Sequence, residues 1–197
     1  MVIAMRYALL MVFVFLAVPA LGADDAAVKP TDRGPAIGAA IPSDLSTVDQ
    51  SGKARTFDDL KGPNGLVLVF FRSAKWCPYC KRQLIDINSG ADAIRARGYG
   101  LAALSYDPVK VLKRYGDDHH IGYDLLSDPQ SNVIDAFGIR NEGYKNVPFA
   151  YGVPYPMIFV IAPDGTVQAK LAEAGYKVRP PVGAVVEAID ALQKARP

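Results

Sequence analysis

Cysteine and histidine are scarce in this chain, which has two of each among its 197 residues. Exported proteins that rely on disulfides usually carry several bridges that close long loops, so two cysteines exclude that kind of scaffold. The two histidines, His119 and His120, are adjacent, whereas zinc sites usually space histidine ligands three to five residues apart. A zinc site built from these four residues is therefore the weaker alternative, and we predict no metal and no cofactor.

An excess of charge of one sign is also lacking. The chain has 22 Lys and Arg residues against 20 Asp and Glu residues, a formal net charge of +2, which implies no polyanionic partner. No run of basic residues with interleaved aromatics occurs, so nucleic acid is not a predicted ligand. The 17 glycines and 15 prolines are too few for a low-complexity chain, and the composition is that of an ordinary globular protein.

The first 23 residues predict a signal peptide. Arg6 supplies a positive charge, residues 7–18 are uncharged and apolar, and residues 19–23 offer small side chains for cleavage. We therefore expect a periplasmic or secreted protein. The alternative is an N-terminal membrane anchor, because the charge-free stretch 7–23 approaches the minimum length of a spanning helix.

The remaining chain predicts a flexible leader followed by one domain. Residues 24–36 are polar and contain proline, which is typical of a leader without regular structure. From residue 37 to 195, apolar strand-like segments alternate with helical periodicity, which predicts an α/β fold with a central mixed sheet flanked by helices. The predicted elements are a hairpin around residues 49–53, strands at 65–71, 100–106, 157–161 and 167–171, and helices at 78–98, 108–118, 129–137 and 182–192.

Both cysteines lie in the motif Trp76-Cys77-Pro78-Tyr79-Cys80, directly after an apolar strand and at the start of an amphipathic helix. A disulfide across so short a loop removes only about 2 kcal/mol of denatured-state entropy, which makes a purely structural bond a weak alternative. A helix N-terminus favours the thiolate form of Cys77. Cys80, one turn later, is placed to attack a mixed disulfide formed at Cys77. The motif therefore predicts redox catalysis.

With Ala74, Trp76, Cys77, Cys80 and Lys81 as its signature, the chain resembles the thioredoxin superfamily. More narrowly, it resembles the redoxin group related to alkyl hydroperoxide reductase/thiol-specific antioxidant proteins and to periplasmic thioredoxin-like reductases. The resemblance implies a thioredoxin-like fold with an N-terminal hairpin extension. It also implies that Cys77 is the nucleophile and Cys80 the resolving thiol.

The resemblance further implies a substrate platform at residues 155–165, YPMIFVIAPDG, which are similar to the segment where a cis-proline precedes a strand. We therefore expect a cis bond between Tyr155 and Pro156, with Pro154 trans, and a Tyr155 backbone that pairs with substrate. Trp76, Pro78 and Tyr79 are the other predicted substrate contacts.

The sequence departs from the peroxiredoxin pattern Pro-x-x-x-Thr-x-x-Cys, because Phe70 and Ala74 occupy the proline and threonine positions. The arginine that peroxiredoxins carry at the cis-proline position is also missing, and Arg72 and Arg140 are the candidates to replace it. We therefore predict an exported thiol–disulfide oxidoreductase. The alternatives are a thiol peroxidase with the same cysteines, and a binding module whose CxxC is structural.

The predicted partners are protein or small-molecule thiols and disulfides, with peroxides as substrates under the first alternative, and a membrane or periplasmic thiol reductase for recycling. An insertion between residues 139 and 155 is rich in Tyr, Phe and Gly. It predicts either an aromatic wall beside the site or a loop that packs its rings on the domain surface.

Overall fold

The computed structural model of this chain describes residues 29–42, 45–175 and 177–195. The predicted signal peptide, residues 1–23, lies outside the described residues, as do residues 24–28 of the predicted leader. Among the helices of the described ranges, none combines the length and the apolar composition needed to cross a bilayer.

The described residues form seven strands and six α-helices. The strands are β1 Thr47–Asp49, β2 Ala54–Arg55, β3 Gly65–Phe70, β4 Tyr99–Ser105, β5 Asp124–Ser127, β6 Met157–Ile161 and β7 Val167–Leu171. The helices are α1 Phe57–Leu60, α2 Pro78–Ser89, α3 Ala91–Ala96, α4 Val109–His119, α5 Asn132–Ala136 and α6 Val182–Lys194. This order matches the predicted α/β class.

One mixed sheet forms the centre of the domain, in the order β2-β1-β5-β4-β3-β6-β7. Strands β3, β4 and β5 are parallel, and the remaining neighbours pair antiparallel. The inner strand β3 is buried on both faces, which is why it is an uninterrupted apolar run. Its side chains alternate between one core that includes α2, α3, α4 and α6 and a second core that includes α1 and α5. The predicted central mixed sheet flanked by helices is confirmed.

Two elements were not predicted, and one predicted helix is divided. Strand β5 has only four residues, too few for a periodic signal, and α1 is a single turn closed by a Thr56–Asp59 capping box. The predicted helix over 78–98 breaks at Gly90. A Cβ atom at Gly90 would lie 2.2 Å from the Cγ2 atom of Val182, so only glycine lets α6 approach this break so closely.

The part of the predicted flexible leader that the structure describes, residues 29–36, lies against the domain. It contains a short 3-10 turn at Pro30–Asp32. A Cβ atom at Gly34 would lie 3.0 Å from atoms of both Ile139 and Phe159, which shows how closely the segment packs. Arg33 lies over the Tyr155 ring at 4.0 Å from its centroid. Residues 29–36 therefore contact the domain, and the flexibility of the leader stays a prediction.

Candidate active site

Both cysteines lie at the N-terminus of α2, where the sequence places them. Cys77 is the N-cap residue, Pro78 occupies the first turn, and Cys80 follows within the helix. Proline is well suited to this position because its missing N–H would have no partner there. The two sulfur atoms form a disulfide, and neither cysteine has exposed surface.

Two donors approach the Sγ atom of Cys77. The backbone N–H of Cys80 donates a hydrogen bond at 3.2 Å, and the Nη2 atom of Arg72 donates one at 3.3 Å. The first belongs to the positive end of the α2 dipole, and the second carries a full positive charge. After reduction of the disulfide, both would stabilise a thiolate on Cys77.

Aromatic side chains surround Arg72, which follows β3 and is 3% exposed. Its Nη1 atom donates a hydrogen bond to the Tyr144 hydroxyl. The guanidinium carbon lies 5.3 Å from the Trp76 ring centroid and 5.7 Å from that of Tyr144. These contacts hold the charge of Arg72 beside Cys77. Arg140, the other candidate raised by the sequence, instead pairs with Asp135.

A second arginine lies on the Cys80 side of the disulfide. The Nη2 atom of Arg179 donates to the Cys80 Sγ atom at 3.8 Å. Burial, followed by the positive charge of Arg72, lowers the pKa of Arg179 to about 10, while Tyr144 acts in the opposite direction. The disulfide therefore lies between two guanidinium groups that repel each other.

The loop before Cys77 is held by a buried carboxylate, Asp107. Its oxygens accept hydrogen bonds from the Ser73 hydroxyl at 2.8 Å and the Ala74 N–H at 2.6 Å. The Ser73 hydroxyl in turn accepts from the N–H groups of Lys75 and Trp76. Burial is the main cause that raises the pKa of Asp107. Sequence reasoning missed this residue, although an acid directly after a buried strand was the available signal.

The insertion between residues 139 and 155 forms an aromatic wall beside the disulfide, which is one of its two predicted alternatives. The Trp76 ring lies 5.5 Å from that of Phe149, edge to face, and 6.5 Å from that of Tyr144. Its Nε1–H donates to the Tyr106 hydroxyl at 2.8 Å, and that hydroxyl donates to the Phe149 carbonyl at 2.6 Å. Phe149 is nevertheless 67% exposed, so the wall keeps one open aromatic face.

The predicted cis bond between Tyr155 and Pro156 is wrong. No cis peptide bond occurs in the described residues, and Pro154 is trans, as expected. The Tyr155 N–H donates to the Ile139 carbonyl at 2.7 Å, so the chain itself uses the donor that was expected to pair with substrate. This N–H is therefore not available to a substrate strand.

Tyr155 and Pro156 do line a cavity of about 560 Å³ that begins at Arg72 and Tyr144. Met157 contributes to the same lining. Further residues come from the N-terminal segment, from the insertion and from the chain after β7: Lys29, Pro30, Arg33, Asn141, Ala172, Glu173, Ala174 and Gly175. The cavity thus includes Arg72, which contacts Cys77, and its walls are mostly apolar with three cations and one carboxylate.

The predicted substrate contacts do not all lie on one side of the disulfide. Trp76 belongs to the aromatic wall, whereas Tyr79 faces the Cys80 side and stacks under Arg82 at 4.9 Å. Pro78 is exposed between them. Within the described ranges, no three His, Cys, Asp or Glu residues are grouped so that they could hold a metal ion.

Residues 37–170 match the AhpC/TSA family. The chain is 30% identical to Peroxiredoxin bcp1 of Schizosaccharomyces pombe over 107 residues, which cover 54% of this chain and 54% of that protein. It is 26% identical to Peroxiredoxin Bcp of Escherichia coli over 124 residues, which cover 63% of this chain and 78% of that protein. The alignment thus spans about half the length of the yeast relative.

The crystal structure of Peroxidoxin BcpB from Mycobacterium tuberculosis superimposes on the chain with a TM-score of 0.68 and 22% sequence identity. The superposition covers 83% of this chain and 99% of that one. At this identity the likeness concerns the fold, which is the thioredoxin-like fold expected from the sequence.

Proposed function

Because the chain belongs to the AhpC/TSA family, we propose that it is a thiol-dependent peroxidase, with Cys77 as the nucleophile and Cys80 as the resolving thiol. The observation that carries this proposal is the Arg72 guanidinium at 3.3 Å from the Cys77 sulfur. A peroxidase must stabilise negative charge on the attacking sulfur and on the departing oxygen, and a fixed guanidinium can serve both. From the sequence alone, disulfide exchange is the favoured function and peroxide reduction the alternative. The position of Arg72 favours peroxide reduction instead.

In the first step the Cys77 thiolate attacks one oxygen of a hydroperoxide, ROOH. The O–O bond breaks, Cys77 becomes a sulfenic acid, and RO⁻ leaves and takes a proton to become ROH. Arg72 and the Cys80 N–H face the sulfur at which this charge is redistributed. Donors that are already in place lower the barrier because they need no rearrangement during the reaction.

In the second step the Cys80 thiolate attacks the sulfur of the Cys77 sulfenic acid, and hydroxide leaves as water after protonation. The product is the Cys77–Cys80 disulfide that the structure contains. The Cα atoms are 5.3 Å apart, within the ordinary range for a disulfide, so the bond can close without separating α2 from its neighbours.

The cavity beside Arg72 supports an organic hydroperoxide as the substrate. Its volume of about 560 Å³ suits an organic molecule of moderate size, whereas hydrogen peroxide has only two heavy atoms. Apolar side chains such as Pro156 and Met157 would contact the organic part, while Arg72 lies at the end nearest the sulfur.

Thiol–disulfide exchange is the second candidate function, and Ala74 favours it. Ala74 stands where peroxiredoxins carry a threonine hydroxyl, and its N–H already donates to Asp107. The nearby Ser73 hydroxyl donates its proton to Asp107, so that proton is already engaged. Exchange requires only an activated Cys77 and a resolving Cys80 one turn away.

Stopped-flow fluorescence distinguishes the two functions, because Trp76 is the single tryptophan and adjoins Cys77. Reduced Cys80→Ser protein is mixed at one pH with cumene hydroperoxide, hydrogen peroxide or oxidised glutathione. We expect cumene hydroperoxide to react fastest and to leave a sulfenic acid that dimedone traps at Cys77. The Cys77→Ser variant is the matched control and should give no adduct. Faster reaction with oxidised glutathione than with either peroxide would reject the peroxidase proposal in favour of exchange.

A further inference from the structure

A groove of about 380 Å³ with cations in its lining lies on the Cys80 side of the disulfide, away from the cavity proposed for the peroxide. It runs between the first two turns of α2 and the segment before α6, and its lining includes Tyr79, Arg82, Gln83, Lys177 and Arg179. Three of these side chains are cations. The one carboxylate in the lining, that of Asp86, accepts a hydrogen bond from the Val182 N–H.

Gln83 is the unusual member of this groove. Its side chain is almost fully buried, with 4% of the residue exposed. Among the described residues, neither the Nε2 nor the Oε1 atom of Gln83 has a hydrogen-bond partner. A buried amide without partners costs stability unless something binds to it. A ligand with its own amide groups would satisfy both atoms.

Arg179 connects the groove to the disulfide, because it lines the groove and its Nη2 atom contacts the Cys80 sulfur. Cys80 has no exposed surface, so a reagent that approaches from the groove must first displace this side chain. A carboxylate in the groove would attract the guanidinium by a charge-assisted hydrogen bond and draw it away from the sulfur. Access to Cys80 would therefore depend on the charge of the incoming molecule.

The chemistry of the disulfide also points to attack at Cys80. A thiolate reacts faster at the sulfur whose partner is the better leaving group. Cys77 is the better leaving group because the Cys80 N–H and Arg72 both stabilise its thiolate. The reductant should therefore bind on the side of Cys80, which is the side of the groove.

We propose that this groove binds the reductant of the Cys77–Cys80 disulfide, and that the reductant is a small peptide-like thiol that carries carboxylates. Gln83 binds its amide, and Arg179 with Lys177 binds its carboxylates. This inference rests on the proposed function, because a peroxidase must be reduced after each turnover. It adds the chemical class of the reductant and the residues that select it.

Reduction of the disulfide consumes two thiolates of the reductant. The first thiolate attacks the Cys80 sulfur, the bond between the two cysteines breaks, and Cys77 leaves as a thiolate. This leaves a mixed disulfide between the reductant and Cys80. A second thiolate then attacks the reductant's sulfur in that mixed disulfide, and Cys80 leaves as a thiolate. Two reductant thiols become one disulfide, the protein disulfide becomes two thiols, and the two protons lost by the reductant balance the two that the cysteines gain.

The test starts from the oxidised protein and contains no peroxide, so its outcome does not depend on whether the protein reduces peroxides. Trp76 fluorescence follows reduction by glutathione, which is anionic, by neutral 2-mercaptoethanol and by cationic cysteamine, with rates expressed per thiolate. We expect glutathione to react about tenfold or more faster than cysteamine, since one hydrogen bond between charged groups contributes about 1.5–3 kcal/mol. The glutathione rate should also saturate.

Two variants examine the residues. Arg179→Gln should lower the ratio of the glutathione rate to the cysteamine rate about tenfold, because it removes the charge that selects the anion. Gln83→Leu, which replaces an unpaired buried amide by an apolar side chain of similar size, should keep the fold and weaken glutathione saturation alone. Lys110→Gln, an exposed lysine on α4, is the charge-matched control and should leave the ratio unchanged.

Three results would overturn the proposal. One is a wild-type ratio at or below one. Another is an Arg179→Gln variant that slows all three thiols equally, as a merely structural role would. The third is reduction by the protein dithiol thioredoxin with no measurable reduction by glutathione, which would place recycling on a protein surface instead of in the groove.

Discussion

Replacing Arg72 with glutamine should slow the reaction of Cys77 with peroxide by roughly 10- to 150-fold. The structure sets this magnitude through one contact, the hydrogen bond of 3.3 Å from the guanidinium to the Cys77 sulfur. A hydrogen bond to a charged group contributes about 1.5–3 kcal/mol, and each 1.36 kcal/mol of barrier changes a rate about tenfold. The loss has two sources, because a smaller fraction of Cys77 is thiolate at a given pH and the departing oxygen loses its cation.

The assay is stopped-flow oxidation in the Cys80→Ser background, recorded over a range of pH values. If Arg72 acts by its charge, Arg72→Gln should need a higher pH to reach its maximal rate, and Arg72→Lys should recover part of the activity. Arg140→Gln is the matched control, because the sequence offers Arg140 as an equal candidate while the structure pairs it with Asp135. A rate for Arg72→Gln within about twofold of the parent would refute the reasoning, since even the weakest charged hydrogen bond predicts about tenfold.

Four further predictions concern stability and processing. Burial raises the pKa of Asp107 in the folded protein. The contribution of Asp107 to stability is therefore present below its unfolded pKa and is lost as pH rises through its folded pKa. Urea unfolding at several pH values should show this loss, and Asp107→Asn should remove the contribution of this residue to the pH dependence. Gly90→Ala should lower the free energy of unfolding by about 1–3 kcal/mol, because the new Cβ would overlap Val182. Gly183→Ala in α6, where a Cβ meets nothing within 4 Å, should instead raise it by about 1 kcal/mol. We also propose that residues 1–23 direct export, so the mature chain should begin between residues 21 and 24 by N-terminal sequencing, and an intact Met1 on a membrane-bound product would support an anchor.

The sequence predicts the fold well where apolar pattern and length agree. Strand β3 is an unbroken apolar run, and it is the inner strand next to α2 that sets the position of Cys77. Strand β5 was missed because Asp124–Ser127 is too short to show a period, although its pairing with β1 attaches the hairpin to the sheet. The break at Gly90 could not be predicted from the helical pattern around it, because that break depends on the packing of α6, which is far along the chain.

The candidate site was predictable only in part, and sequence distance explains the difference. The two cysteines could be identified from their spacing and from the apolar strand before them. Arg72 and Arg140 could not be ranked from sequence, since the direction of a side chain at the end of a strand depends on its neighbours. Arg179 contacts a sulfur 99 residues away, a relation that no local pattern encodes. The resemblance to the thioredoxin superfamily implied a cis bond before Pro156, but that bond is trans and the Tyr155 N–H donates to the Ile139 carbonyl.

The two arginines beside the disulfide are far apart in the sequence, so they are synthesised at different times. Arg72 is five residues from Cys77, so the two donors to that sulfur come from one strand–helix unit. The surroundings of Cys80 are complete only when residue 179 has been synthesised and has packed against α2. A protease cut in the exposed residues 177–178 would therefore affect the reduction of the disulfide and not the oxidation of Cys77. Oxidation should survive such a cut, whereas reduction should lose its preference among thiols.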